Sequence, residues 1–290
     1  MSSTAPTTTS AIDPAAILRI AAFSDGDVGG NPAGVWIGAA LPPAAEMQRL
    51  AHAVGFSETA FAAPEGEAWR VRYFSPAAEV PFCGHATIAL GAALARLHGE
   101  GRYALVLEQA TISVEGRHDG ARVAAALQSP PTWSRPADAG LVQEALALFG
   151  YRAADLDARI APGLAHAGAD HLVLALSSRA LLAAMRYELE AGRKLMAQHA
   201  LTTIVLAWAE TPSLFHTRNP FAIGGVYEDP ATGAGTAALA GYLRDLGWPH
   251  GGAIDVVQGE DMGMRSRLHA EMGSQLGESI RVAGTARFMT

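Results

Sequence analysis

Two stretches of the 290-residue chain repeat one another, and that repeat limits what the chain can fold into. Residues 79–97, EVPFCGHATIALGAALARL, align without a gap on residues 228–246, EDPATGAGTAALAGYLRDL. Eight of the 19 positions are identical: Glu, Pro, Gly, Thr, Ala and three Leu. Alanine makes up 60 of the 290 residues and accounts for one match, but not for the Glu-x-Pro-x-x-Gly-x-x-Thr frame. The displacement of 149 residues is about half the chain. Duplication on that scale predicts two similar lobes, each with a loop that turns into a helix.

The helices expected at 87–97 and 236–246 are apolar around most of their circumference, so each must be enclosed on most sides. Strand-like runs are available to enclose them, at 18–23, 34–37, 69–74, 103–107, 122–126, 171–176, 203–208, 253–257 and 279–282. Trp69-Arg70-Val71-Arg72-Tyr73-Phe74 alternates with period two, as a strand with one wet face does. A further helix is expected after Pro42 and Pro43, with Met47, Leu50 and Val54 as its apolar stripe and Gly55 as its stop. The predicted class is α+β: two pseudo-twofold-related lobes, each a curled, barrel-like sheet around a central helix, with the active site in the cleft between them. The Pro-rich stretch 129–136, SPPTWSRP, reads as the linker. The expected division is a disordered Ser/Thr/Pro-rich tail at 1–14, an N-terminal lobe at 15–128 plus 276–290, and a C-terminal lobe at 129–275.

The charge balance removes several functions. The net charge is −7 and no basic run exists, which argues against nucleic acid or an anionic membrane as partner. No stretch approaches 18 consecutive apolar residues, so no spanning helix is expected. The first residues have neither the basic nor the apolar region of a signal peptide. One cysteine, Cys83, rules out an intramolecular disulfide or an all-cysteine metal site and fits a reducing cytoplasm. His166 and His171 lack zinc-motif spacing, and 26–34 lacks the Gly-Lys-Ser/Thr of a phosphate loop.

Chemistry concentrates at the two repeated turns, Cys83-Gly84-His85-Ala86-Thr87 and Thr232-Gly233-Ala234-Gly235-Thr236. Small residues let the backbone approach a ligand, and the first N–H groups of a helix have no internal partner. Such an end favours an anion. Under a pseudo-twofold the two helix starts face each other across one cleft, which makes a site for a small carboxylate without metal or nucleotide. Two helix caps without a ligand are the plainer reading of the same residues.

Five motifs occur in chain order: Gly30-Asn31-Pro32-Ala33-Gly34-Val35, Phe56-Ser57-Glu58-Thr59-Ala60-Phe61, Arg72-Tyr73-Phe74-Ser75-Pro76, Glu79-Val80-Pro81-Phe82-Cys83-Gly84-His85-Ala86-Thr87 and Glu228-Asp229-Pro230-Ala231-Thr232-Gly233. A weaker match follows at Gln258-Gly259 and Met262-Gly263. In this set the chain resembles the PhzF, or phenazine-biosynthesis-like, family within the diaminopimelate-epimerase-like fold. The resemblance implies a cofactor-independent isomerase, commonly a homodimer, whose characterised activity is isomerisation of a dihydro-hydroxyanthranilate. A glutamate takes a proton from one carbon and returns it at another, and that role carries onto Glu58. His85 and Asp229 match positions that contact substrate or assist proton movement. Backbone amides of Gly84, Gly233 and Ala234 are expected to hold the substrate carboxylate, with Asn31, Ser57, Cys83 and Thr232 also binding substrate.

Two departures stand out. Ala234 replaces the serine common in the second turn, which removes a hydroxyl, and Met264-Arg265 stands where Arg-Pro is common. Two other readings stay open. A proline-racemase-like racemase or dehydratase would use Cys83, with Thr232 in place of a second cysteine. A non-catalytic binding protein would keep the cleft alone.

Overall fold

A computed structural model describes residues 12–108 and 110–290. The tail expected at 1–14 lies outside these residues except for its last three, which lead into a short turn. Asp13 accepts a hydrogen bond from the Ala15 N–H and caps a 3-10 turn at Pro14–Ala16, and Ile12 N–H donates to Glu46. Proline at the first position of the turn suits its fixed φ.

Eight strands form the first half: β1 (Leu18–Ala22), β2 (Asn31–Ile37), β3 (Thr59–Glu65), β4 (Ala68–Phe74), the short β5 (Glu79–Val80), β6 (Gly101–Val106), β7 (Thr111–Asp119) and β8 (Arg122–Gln128). Nine follow: β9 (Trp133–Pro136), β10 (Gly163–His166), β11 (Asp170–Ala175), β12 (Thr203–Ala209), β13 (Leu214–Phe221), β14 (Val226–Asp229), β15 (Ala253–Gln258), β16 (Ser266–Glu271) and β17 (Arg281–Phe288). The helices are α1 (Ala44–Val54), α2 (Gly84–His98), α3 (Ala139–Phe149), α4 (Arg179–Ala183), α5 (Leu189–Gln198) and α6 (Gly233–Asp245).

The first sheet closes on itself. Its pairings run β1–β2–β3–β4–β6–β7–β8–β17 and back to β1, an eight-stranded barrel around α2. The second sheet runs β9–β10–β11–β12–β13–β15–β16–β17 and curls around α6. Its open seam is crossed by backbone hydrogen bonds from Thr132 N–H to Gly277 O and from Ser129 N–H to Ile280 O. Strand β17 therefore belongs to both sheets.

Alternation along the strands sorts the core into layers. In β11 and β12, Val173, Ala175, Val205 and Ala207 face the central cluster, while Leu172, Leu174, Ile204 and Leu206 pack under α3 and α5. In β3 and β4, Phe61 and Phe74 turn outward to α1, and Ala60, Ala62, Val71 and Tyr73 turn inward. Helix α2 is buried from His85 to Ala95. It sits so close to the barrel wall that a Cβ on Gly91 would lie 2.5 Å from a Val114 methyl carbon.

Two expectations need correction. Both central helices begin three residues earlier than periodicity indicates, at Gly84 and Gly233, because hydrogen bonding starts at the glycine turn while the apolar pattern starts after it. The presumed linker 129–136 is half strand. Trp133–Pro136 pairs with β10, and Pro136 is tolerated because β9 has only that one strand partner.

Candidate active site

The loop between α1 and β3 delivers Ser57 and Glu58 to the start of α2. There His85 Nε2 lies 3.4 Å from Glu58 Oε2 and 3.4 Å from Ser57 Oγ, and its Nδ1 lies 3.3 Å from Cys83 Sγ. The His85 and Glu58 side chains are only 8% and 18% exposed, so the contact between them is little screened by water. Burial, with the neighbouring Glu58 carboxylate adding to it, pushes the Cys83 thiol well above its ordinary value. With the neutral thiol donating to Nδ1, a neutral imidazole would carry its proton on Nε2, facing Glu58.

A second group comes from the other half. Asp229 ends β14, and its carboxylate accepts from Asn31 Nδ2 at 2.8 Å and from the Thr232 hydroxyl. The Asn31 contact ties the first residue of β2 to the second half of the chain, and Asn31 also donates to Ala231 O at 3.0 Å. Burial raises the Asp229 carboxyl above its usual range against the lowering effects of His85, Thr232 and Asn31, and Glu58 pushes it further up. Asp229 and the Glu58–His85 pair thus sense one another.

Neither helix start is capped by its own side chain. Thr232 spends its hydroxyl on Asp229. The first N–H groups of α2 and α6 therefore have no intrahelical partner. Gly84, Gly233 and Ala234 line one small cavity of about 30 Å³ between the two helix starts. A Cβ on Gly84 would meet nothing within 4 Å, since that position opens onto the cavity.

Glu58, His85, Cys83 and Ser57 thus gather at one helix start and Asp229, Asn31 and Thr232 at the other, while Gly84, Gly233 and Ala234 line a small cavity that none of these seven side chains lines. Two residues that sequence reasoning gave no role also shape the site. Gln258 is buried, donates to Asp229 O and Thr232 Oγ1, and accepts from Thr232 N–H, so it fixes the second turn. Its weak Gln-Gly motif was the available signal. Phe23 adopts a left-handed φ of 60° with its ring 3.5 Å from where a Gly233 Cβ would be, and it lines the small cavity. No sequence pattern marks a strained phenylalanine, which costs about 1–3 kcal/mol.

Other titratable clusters lie elsewhere. His171 is buried against Thr203 Oγ1, with burial bringing it down to about 4, and His166 meets Asp170. Among the described residues, Glu58, Cys83 and His85 carry donor atoms within 4.8 Å of one another, a set able to hold a metal ion once the thiol gives up its proton. No described helix is long and apolar enough to cross a membrane.

The comparisons with known proteins agree with this architecture. The chain is 30% identical over 276 residues to the trans-2,3-dihydro-3-hydroxyanthranilate isomerase of Pseudomonas aeruginosa, covering 91% of this chain and 94% of that one. It is also 30% identical over 283 residues to an uncharacterised isomerase of Mesorhizobium japonicum, covering 91% and 93%. The crystal structure of a PhzF-family phenazine biosynthesis protein from Bacillus anthracis superposes with a TM-score of 0.83 at 21% identity, over 94% of this chain and 96% of that one. The profile of the phenazine biosynthesis-like proteins matches residues 20–290, so the chain belongs to the phenazine biosynthesis-like, or PhzF, family.

Proposed function

We propose that the chain, an isomerase of this family, moves a proton between two carbons of a small carboxylate, with Glu58 as the carrier. The observation behind this reading is the largely buried Glu58–His85 pair at the start of α2, close enough to Asp229, just before α6, to shift its carboxyl. The Glu58 carboxylate takes a C–H proton, the bonding electrons pass into the substrate's conjugated system, and the protonated carboxyl, after exchange with solvent, delivers a proton to a different carbon. His85 Nε2–H holds Glu58 in position and steadies the changing charge. Asp229, kept in place by Asn31 and Thr232, contacts the substrate's polar edge. N–H groups of Gly84, Gly233 and Ala234 receive the carboxylate. The family resemblance adds a cofactor-independent reaction, a homodimer and a cytoplasmic setting to this reading.

A thiolate mechanism fits less well. Burial holds Cys83 protonated, and the Thr232 hydroxyl is already bonded to Asp229. Ala234 offers a methyl where a serine is common, so the substrate need not be the one named for the Pseudomonas relative. Cyclic and amino-acid carboxylates incubated in D2O test the proposal. Wild type and Cys83→Ala should incorporate deuterium into at least one of them, and Glu58→Gln should do so about 10²–10⁴-fold more slowly. Exchange that survives Glu58→Gln and disappears in Cys83→Ala would overturn the assignment.

A further inference from the structure

The cavity between the helix starts, about 30 Å³, holds two or three water molecules (each needing about 10–15 Å³) and so little more than a carboxylate group. Directly outside it lies a much larger cavity of about 790 Å³, within the range of small-molecule sites. The two share Phe82, Leu127, Ser129, Pro130, Ala167 and Ala234 as walls, so a ligand anchored at the helix starts extends into the larger one. That outer wall is mostly carbon, with Leu107 and Ile112 across from the hairpin at 167–169. In a chain of net charge −7 it presents no carboxylate side chain, and its charged group is Arg102. Arg102 uses its Nε on Ser113 Oγ at 2.8 Å.

We propose that this outer cavity is a specificity subsite that takes an extended apolar arm, aliphatic or aromatic, attached to the substrate carboxylate. The inference rests on the isomerase reading, since it assumes that the carboxylate sits at the helix starts. Three features carry it: shared walls, a volume mismatch that leaves the body of any substrate outside the inner cavity, and a lining that repels no anion. Ala234 belongs to the same surface. Where a serine would put a hydroxyl at the junction of the two cavities, Ala234 puts a methyl, and the Ser129 hydroxyl there is spent on Pro130 O and Ile280 N–H.

Straight-chain carboxylates from butanoate to decanoate, titrated calorimetrically into the full-length protein, test the subsite. Affinity should rise about two- to fourfold per added methylene until the cavity is filled. Ala104→Trp on β6 and Ala169→Trp on the facing hairpin, both lining the cavity, should flatten the series and leave butanoate within twofold of wild type. Two variants from opposite walls guard against one that fails to fold. A flat series in wild type, or one undiminished in both variants, overturns the subsite. So does light scattering that shows Ala104→Trp dissociating a wild-type dimer, because a second copy would then cover this face. A flat series with Glu58-dependent deuterium exchange intact removes the subsite alone. A rising series without exchange of any carboxylate removes the isomerase reading and leaves an apolar carboxylate site.

Discussion

At the scale of single residues, the site departs from solution chemistry through burial more than through charge pairing. Asp229 accepts two side-chain hydrogen bonds that favour its anion, yet desolvation outweighs them and its carboxyl titrates above the ordinary 3.8. This has a definite sign for stability. As pH rises through 3.8 the unfolded chain releases this proton first, so the native state loses relative stability until its own carboxyl ionises. Asp229→Asn lacks that titration. The unfolding free energy of the variant minus that of wild type should therefore grow as pH increases from about 3, then level off above the folded value. Urea denaturation at stepped pH measures it; a gap that is flat or shrinks contradicts a raised carboxyl. The sequence motifs pointed to Asp229 and Glu58, only weakly and without a role to Gln258, and not to Phe23. Gln258 acts through three hydrogen bonds to a turn 26 to 29 residues away, and Phe23 through a backbone angle. Neither relation can be read from neighbouring residues.

At the scale of elements, the repeat was legible because both copies perform the same local task. The repeated glutamate clamps the short strand that leads into each central helix: Glu79 pairs with Arg72 on β4, and Glu228 with Arg218 on β13. The environments differ. Arg72 and Glu79 are 32% and 35% exposed, whereas Arg218 and Glu228 are 8% and 3% exposed. Arg218 also donates to Ala183 O and Met185 O, so it cannot leave for water. Removing the carboxylate beneath a buried guanidinium costs about 3–5 kcal/mol, while an exposed pair contributes at most about 1 kcal/mol. Glu228→Ala should lower stability by the larger amount and Glu79→Ala by the smaller, read from chemical denaturation. Equal losses would mean that the two clamps carry equal weight. Alanine shows where composition misled. Its abundance reads as sequence bias, yet Ala86, Ala89, Ala92, Ala93 and Ala95 are all buried in α2, where Gly91 and Gly116 bring helix and wall together. Small side chains set the spacing of a helix inside a narrow barrel, and no periodicity distinguishes that role from bias.

At the scale of the whole molecule, the duplication predicts two lobes, and the last strand ties them together. β17 bonds to β1 and β8 in the closed barrel and to β16 in the second sheet. Its first residue, Arg281, meets Glu115 of one half at 2.9 Å and Glu271 of the other at 3.1 Å. The Asn31–Asp229 bond crosses the halves as well. Apart from those to β16, these contacts join residues more than 150 positions apart, so the sequence identified a short run at 279–282 but not the eight-residue strand or its three partners. Loss of β17 opens the first barrel and strips one edge of the second sheet at once. The molecule should therefore unfold in one calorimetric transition, with matching calorimetric and van't Hoff enthalpies, although chains well beyond 150 residues often do not. A chain ending at residue 280 should populate neither barrel, and its near-ultraviolet circular dichroism should be lost across both halves. Two separated transitions in the intact protein, or a shortened chain that keeps a folded second half, would show that β17 closes only the first barrel. The same coupling bears on the site. Asn31 and Glu58 come from one half and Asp229 from the other, so a single folding unit holds them in register before substrate arrives.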